Sequence, residues 1–368
     1  MTSPPTIRSI GLVLHDFPLG GTERIALRLA RAWSERGIAV TLFVGEDKGP
    51  LRPMVPPGVR LVPADPAVPR GRHSRDRLGG AAAAHFAREP VDGLFVPGNF
   101  HWEIVPALAR IPHRPAIVVQ ISSPLRMTQR GWLRQFGFER RMRRLLRDAD
   151  ALVAMGALHE AQAEAILGRT TSTIIPLPAL DDDRPVSPAS GRTILAAGRL
   201  IHQKGFDLLI DAFARLDDPA ARLVIAGSGP EEAALARRIA DRGLDGRIRL
   251  AGFIPDIRPL LDEARLFAMA SRFEGYGAVI LEALGAGRPV IATASTPAAD
   301  DVLGDPASGI VVPVEDIDAL AGALRTLLDR PAPDPHRLAR TVDAYRIGAG
   351  ADAYLACFER ALAARQAA

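Results

Sequence analysis

Two parallel β-sheets, each covered by helices and each in its own domain, are the fold this α/β sequence predicts. Two observations carry that expectation. Short runs rich in Val, Ile, Leu and Phe alternate with amphipathic segments through the first half of the chain, and the alternation starts afresh after a proline-containing acidic stretch. Strand–helix alternation builds parallel sheets, because a parallel connection needs a crossover long enough to hold a helix. The chain's 368 residues favour two domains over one. Hydrophobic residues are 48 % and charged residues 24 %, which is ample material for packed cores.

Taken in order, IRSIGLVLH (7–15) reads as the first strand and TERIALRLARAWSERG (22–37) as a helix with Ile25, Leu29 and Trp33 near one face. IAVTLFVG (38–45) follows as a strand. The pattern recurs at VDGLFVPG (91–98), AIVVQIS (116–122) and DALVAMG (150–156). Residues 63–80, with several prolines, glycines and arginines, read as a loop. PLPALDDDRPVSPASG (176–191) reads as a linker. Beyond it, TILAAG (193–198), RLVIAG (222–227), IRLAGF (248–253), RLFAMA (265–270), PVIA (289–292) and GIVVP (309–313) are strands, with helices such as FDLLIDAFARL (206–216) between them. The rest is helical, and Tyr354, Phe358 and Leu362 form one apolar stripe in a tail at about 350–365. The expected domains are residues 1–180 and 181–345, followed by a tail at 346–368.

Composition narrows the function. The formal charge of +4 is small for this size. Only Lys48 and Lys204 are lysines among 46 basic residues, so a lysine that appears at all draws interest. A single cysteine, Cys357, excludes an intramolecular disulfide scaffold and a cysteine-rich metal site. MTSPPTIRS lacks a signal-peptide pattern, and no window holds eighteen apolar residues. A cytoplasmic protein is expected, peripheral on the inner face of the cell membrane if it meets one. Residues 126–147, RMTQRGWLRQFGFERRMRRLLR, interleave eight arginines with aromatic and aliphatic side chains. Such a segment suits an anionic membrane surface, or else forms an ordinary surface helix in an arginine-rich protein. No nucleic-acid-binding motif stands out.

Open parallel sheets hold ligands beyond the C-terminal ends of their strands, so the loops there matter most. After the first strand, HDFPLGGTE places Gly20 and Gly21 directly before a helix. Tandem glycines allow close backbone approach and a helix N-terminus offers N–H groups to an anion, though a plain turn has the same sequence. After the first strand of the second domain, GRLIHQKGFD carries Arg199 and Lys204 into a helix. Two cations there suit a diphosphate; the ordinary alternative is an ion pair with Asp207 or Asp211. AGSGPEE holds Gly227 in a tight turn, and GFIP offers Phe253 and Ile254 to a flat base. In SRFEGYGAVILEALGAGRPVIA, Glu274 falls just ahead of a helix starting near Gly277, and Glu282 lies more than a turn inside an apolar run. A carboxylate there is costly unless paired or facing a ligand. Carboxylates can accept both hydroxyls of a ribose, or work as a glycosidase pair; two solvated glutamates are the plain alternative.

These blocks, in this order and spanning most of the chain, resemble the retaining GT-B glycosyltransferases of family 4. SRFEGYGAVILEALGAGRPVIA is similar to its E-x7-E motif, GRLIHQKGFDLLIDAF to its diphosphate loop, and GLVLHDFPLGGTERIALRLARAWSERGIAVTLF to its first strand, glycine loop, helix and second strand. The resemblance implies two Rossmann-like domains facing a central cleft, an acceptor-binding N-terminal domain, and a C-terminal helix packed back upon it. It implies a nucleotide-diphosphate sugar donor, UDP or GDP, and a glycan or lipid-linked acceptor, with no cofactor and no bound metal. Asp181 and Asp183 have Asp-x-Asp spacing but fall in the linker. By resemblance, Arg199 and Lys204 neutralise the diphosphate, Glu282 holds the ribose and Glu274 the donor sugar. Gly275, Tyr276, Gly277 and Ala278 cradle the sugar and distal phosphate, and Gly20 and Gly21 approach the diphosphate. One position departs from the pattern. Where many members carry a histidine past a middle strand of the first domain, this chain has Ser122, with His101 and His15 as candidates for the role. Two rivals share the nucleotide pocket: an epimerase of GT-B architecture and a non-catalytic nucleotide-sugar-binding subunit.

Overall fold

The structure, a computed structural model, describes residues 7–126, 131–168, 172–182, 185–188, 190–296, 299 and 302–367. It divides into two compact units, residues 1–178 with 347–368, and residues 179–346.

Among the described residues of the first unit, seven parallel strands form one sheet: β1 (Ser9–Leu14), β2 (Ala39–Val44), β3 (Arg60–Pro63), β4 (Gly93–Val96), β5 (Ala116–Ile121), β6 (Ala151–Ala154) and β7 (Ser172–Ile174). Their order is β3-β2-β1-β4-β5-β6-β7. β1 pairs with β2 in the register Leu12↔Leu42 and with β4 in the register Leu12↔Phe95. β4, β5 and β6 are buried along their whole length, as in a parallel sheet covered on both faces. β3 and β7 lie at the edges, and neither was visible in the periodicity. The segment 63–80 is a loop only to His73; a helix runs from Ser74 to Arg88 and buries Leu78, Ala82 and Phe86. Its four alanines after Gly79 and Gly80 carry too little hydrophobic contrast to mark a helical face in sequence.

The helix at Gly21–Glu35 buries Ile25, Leu29 and Trp33. Trp33 packs edge-on against Phe95, Tyr354 and Phe358, and its Nε1–H donates to the Ala351 carbonyl at 3.1 Å. Phe95 lies on β4, and the other three partners come from the last helix, Ile347–Gln366. Gln120 Nε2 on β5 donates to the Tyr354 hydroxyl at 2.9 Å, which satisfies both groups out of water. Each fully buried ring contributes about 1.5–3 kcal/mol through removal from water. The tail's buried face runs through Tyr354, Cys357, Phe358 and Ala361, whereas Leu362 is half-buried.

In the second unit, β8 (Thr193–Ala197), β9 (Arg222–Ala226), β10 (Ile248–Leu250), β11 (Leu266–Met269), β12 (Val290–Thr293) and β13 (Gly309–Val312) pair in the order β10-β9-β8-β11-β12-β13, all parallel among the described residues. The helix at Phe206–Ala214 packs Leu209, Ile210 and Phe213 onto this sheet. In both sheets the winding direction reverses between the first strand of the unit and its fourth, at β1/β4 and at β8/β11. Loops leaving adjacent strands at such a point run apart and leave a crevice for ligands.

Candidate functional site

In the second unit, the loop after β8 carries Lys204 in a short 3-10 turn (His202–Lys204). Gly205 then caps the following helix at φ +63°, and a β-carbon there would overlap the Ala270 carbonyl oxygen. The loop after β11 carries Glu274, and Gly277 at φ +79° caps the helix at Ala278–Gly285. Both helix starts need the left-handed conformation that glycine adopts at little cost. Lys204 Nζ makes an ion pair with Glu274 Oε1, and Ser271 Oγ donates to the same oxygen at 2.8 Å. Glu274 is buried, and its backbone N–H is held by the Ser295 carbonyl at 3.0 Å. Lys204 therefore pairs with neither Asp207 nor Asp211. Asp207 receives Arg272, and Asp211 receives Arg238 and Arg242. Arg199 is exposed and makes no ion pair among the described residues.

Glu282 is half-buried rather than enclosed. Tyr276 is buried, its ring 6.4 Å from that of Tyr345, and Thr296 Oγ1 donates to the Tyr276 carbonyl at 3.1 Å. Gly275 and Ala278 are half-buried at the helix start. Gly227, at φ +148°, passes so close to the Gly198 carbonyl that a side chain would overlap it. Phe253 is 48 % exposed, large for an aromatic ring at a strand end, and Ile254 beside it is half-buried.

Sequence reasoning missed Arg272. Its guanidinium donates to both Asp207 carboxylate oxygens at 2.9 and 2.8 Å, to the His202 carbonyl at 2.8 Å and to Glu315 at 2.9 Å. Asp207 raises its pKa, as does Glu315 to a smaller degree. Burial pushes the Asp207 carboxyl up, yet the Arg272 hydrogen bonds and charge outweigh this and the net shift is downward. Among 44 arginines in so arginine-rich a chain, sequence offers no signal that singles this one out.

The first unit's reversal point is built differently. Gly20 is extended, and a β-carbon on it would overlap the Glu23 carboxylate; the space beside Gly21 is open. Glu23 is buried in the first helical turn, and burial raises its pKa. Asp16, after β1, takes a bidentate Arg70 at 2.5–2.9 Å, and the Arg70 and Arg75 guanidiniums lie 4.5 and 4.9 Å from the Phe100 ring centre. His15 and His101 are fully buried, each ring next to that of Phe100. His101 Nδ1 meets the Pro97 carbonyl at 2.8 Å, so Nδ1 carries the proton and Nε2 is left as an acceptor without a partner among the described residues. Burial lowers its pKa to about 4, and burial lowers that of His15 as well. Ser122, by contrast, is engaged: its Oγ donates to Asn99 Oδ1 at 3.1 Å and accepts from the Asn99 N–H at 3.2 Å. Trp102 is in the core with its Nε1–H on the Gln120 carbonyl.

The arginine-rich segment is a helix at Trp132–Leu146, preceded by residues 127–130, which lie outside the described residues. Met142, Leu145 and Leu146 face the core. Trp132, Leu133 and Phe136 are 78, 65 and 62 % exposed. Arg141 pairs with Glu103 and Arg143 donates to the Ile166 carbonyl, so these two arginines are committed to the protein. No described helix is long and apolar enough to cross a membrane, and no three His, Cys, Asp or Glu among the described residues are grouped to hold a metal. Asp183, the second member of the Asp-x-Asp spacing, lies outside the described residues.

Two doubly wound parallel-sheet units, the second with a cation–carboxylate pair between glycine-started helices, define the GT-B class. Residues 181–343 match the family described as glycosyl transferases group 1, and residues 20–179 match the glycosyl transferase 4-like domain. Both halves of the chain are thus related to glycosyltransferase families on a GT-B fold. The chain is 35 % identical over 150 residues to the lipopolysaccharide core biosynthesis glycosyltransferase LpsE of Rhizobium meliloti, a match spanning 41 % of this chain and less than half, 43 %, of the length of that curated relative. Its fold is shared by a glycosyltransferase from Rickettsia africae, at a TM-score of 0.77 and 15 % identity, covering 97 % of this chain and 99 % of that one. It is shared too by Anabaena Alr3699/HepE in complex with UDP and glucose, at a TM-score of 0.68 and 19 % identity, covering 98 % of this chain and 99 % of that one.

Proposed function

We propose that this protein moves a sugar, with retention at the anomeric carbon, from a UDP- or GDP-sugar to a glycan or lipid-linked acceptor in polysaccharide or lipopolysaccharide assembly. The observation that carries this reading is the Lys204–Glu274 pair at the β8/β11 reversal point. An incoming diphosphate competes for Lys204, while Ser271 keeps its hold on Glu274. The freed carboxylate then accepts hydroxyls of the donor sugar. Arg199 and the helix starts at Gly205 and Gly277 add positive potential where the leaving diphosphate gathers charge. Glu282 takes the ribose hydroxyls, Phe253 and Ile254 the base, and Gly227 the close backbone approach. The bond from the sugar to the phosphate oxygen breaks as the acceptor oxygen joins the same face, and the acceptor's proton passes to the departing phosphate. His101 takes the role that the resemblance gives to a histidine at the Ser122 position, because its Nε2 has no partner among the described residues whereas both functions of the Ser122 hydroxyl are engaged. The likeness to a lipopolysaccharide core enzyme and to a UDP- and glucose-bound fold supports the acceptor and donor classes.

A screen of UDP-, GDP- and ADP-sugars with membrane extract tests this reading. Release of nucleoside diphosphate coupled to a product with the donor's anomeric configuration is expected, and EDTA should leave it intact. An inverted product sinks the retaining mechanism; a changed sugar nucleotide without acceptor points to an epimerase; binding without turnover across many acceptors points to a non-catalytic subunit.

The exposed Trp132, Leu133 and Phe136, with Arg134, Arg140 and Arg144 exposed beside them, support a second element of the proposal, docking at the inner, cytoplasmic face of the membrane. Sedimentation with anionic vesicles should be strong at low salt and weak with zwitterionic ones. A variant combining Trp132→Ala and Phe136→Ala should lose most of it. A wild-type protein that never pellets with anionic vesicles ends the membrane reading and favours a soluble acceptor.

A further inference from the structure

We infer that Arg272 is a positioning residue for the diphosphate site, acting through Lys204 and Glu274 rather than on the ligand itself. The inference rests on the diphosphate role of Lys204 proposed above.

Lys204 and Glu274 sit on separate loops, after β8 and after β11, and must be held in register with each other. Arg272 supplies most of the bonds that do so. Its side chain reaches the His202 carbonyl, which opens the turn containing Lys204, and Asp207, which lies in the first turn of the next helix. Its own backbone N–H donates to the Gln203 carbonyl at 2.8 Å, and Gln203 Nε2 returns a bond to the Phe273 carbonyl at 2.8 Å. The 202–207 loop is thus gripped on both sides of Lys204, from a residue two positions before Glu274. A third loop joins through Glu315, after β13, which pairs with Arg272 while held at φ +64°. A non-glycine residue in that region is strained and persists only where its surroundings fix it. The bidentate fork on Asp207 fixes direction as well as distance, which a lysine cannot reproduce. Arg272 is mostly covered, with its side chain 15 % exposed, and it donates four hydrogen bonds within the protein. Its guanidinium is therefore committed to the loops.

The experiment measures affinity for UDP, GDP and the bare nucleosides uridine and guanosine in wild type, Arg272→Gln, Arg272→Lys, Asp207→Asn and Lys204→Ala, with thermal midpoints as a folding check. Arg272→Gln should weaken the preferred nucleoside diphosphate at least tenfold and leave its nucleoside within twofold. Arg272→Lys should fall between Arg272→Gln and wild type. Asp207→Asn should weaken diphosphate binding in the same selective way even if Arg272→Gln proves too unstable to assay. Combining Asp207→Asn with Arg272→Lys should cost less than the product of the separate losses, because both act on one fork. If Lys204→Ala loses diphosphate affinity while Arg272→Lys and Asp207→Asn bind diphosphate within twofold of wild type, the clamp is wrong and the diphosphate site stands. Equal loss of nucleoside and diphosphate in those two variants also overturns it, in favour of a general structural role. If Lys204→Ala itself binds diphosphate like wild type, the proposed site is wrong and the clamp falls with it.

Discussion

The two reversal points share one winding order and differ in nearly everything else. At β8/β11 a lysine and a glutamate face each other, helices start at left-handed glycines, and an arginine fork ties the loops together. At β1/β4 the buried polar groups include two histidines pushed toward neutrality, and Gly20 lies extended against the protein's own Glu23 carboxylate. A parallel sheet fixes where a site lies, and loop chemistry decides what it does. One unit is equipped for anionic charge; the other presents an uncharged acceptor nitrogen.

Breaking the second unit's pair should have the largest effect. Glu274→Gln should lower turnover by roughly 10²–10³, the usual cost of losing one preorganised polar group at a reacting centre. Nucleoside affinity should hardly change. Turnover within threefold of wild type would remove Glu274 from the chemistry. Next in size is Lys204→Ala, which should weaken nucleoside diphosphate binding by ~30-fold, about 2 kcal/mol, in calorimetry. The same measurement on His101→Gln should show no loss of diphosphate affinity although sugar transfer slows. A loss equal to that of Lys204→Ala would erase the contrast between the units.

The histidines sharpen the comparison through pH. His101 has its pKa lowered from 6.5 to about 4 in the folded chain, so the unfolded chain takes up its proton first as pH falls. Stability is therefore intact above about pH 6.5 and is lost progressively toward pH 4. The full shift corresponds to about 3 kcal/mol. Thermal midpoints of His101→Gln should show a shallower acid dependence between pH 6.5 and 4 than wild type, and parallel curves would contradict the buried neutral imidazole. The smallest effect concerns the tandem glycines. Gly20→Ala must displace the Glu23 carboxylate and should cost about 1 kcal/mol, whereas Gly21→Ala enters open space at a helix start and should be neutral or stabilising by up to about 1 kcal/mol. Equal melting shifts for the two would show that Glu23 moves away freely.

Legibility in sequence followed the same division. The second unit's candidate site lies in two short continuous blocks, and those blocks carried the resemblance together with the first unit's glycine block. Arg272 was hidden because its partners Asp207 and Glu315 are 65 and 43 residues away. The first unit's candidate site is assembled from Asp16, Arg70 and the adjacent Phe100 and His101, on three separate loops, and no local pattern links the three. Core strands read clearly because they are continuous apolar runs. The edge strands β3 and β7 escaped because they are short and lie at the sheet margins, where less apolar surface is needed.

The return of the last helix to the first unit sets a timetable for biosynthesis. The second unit is one uninterrupted stretch and can fold as soon as it leaves the ribosome. The first unit must wait for Ile347–Gln366 before Trp33 and Phe95 acquire their cover from Tyr354 and Phe358. At synthesis rates of about 5–20 residues per second, translating the intervening segment takes roughly 10–30 s. Through that interval the nascent N-terminal sheet presents an apolar face that chaperones can bind, and a chain stopped short of this helix keeps that face open.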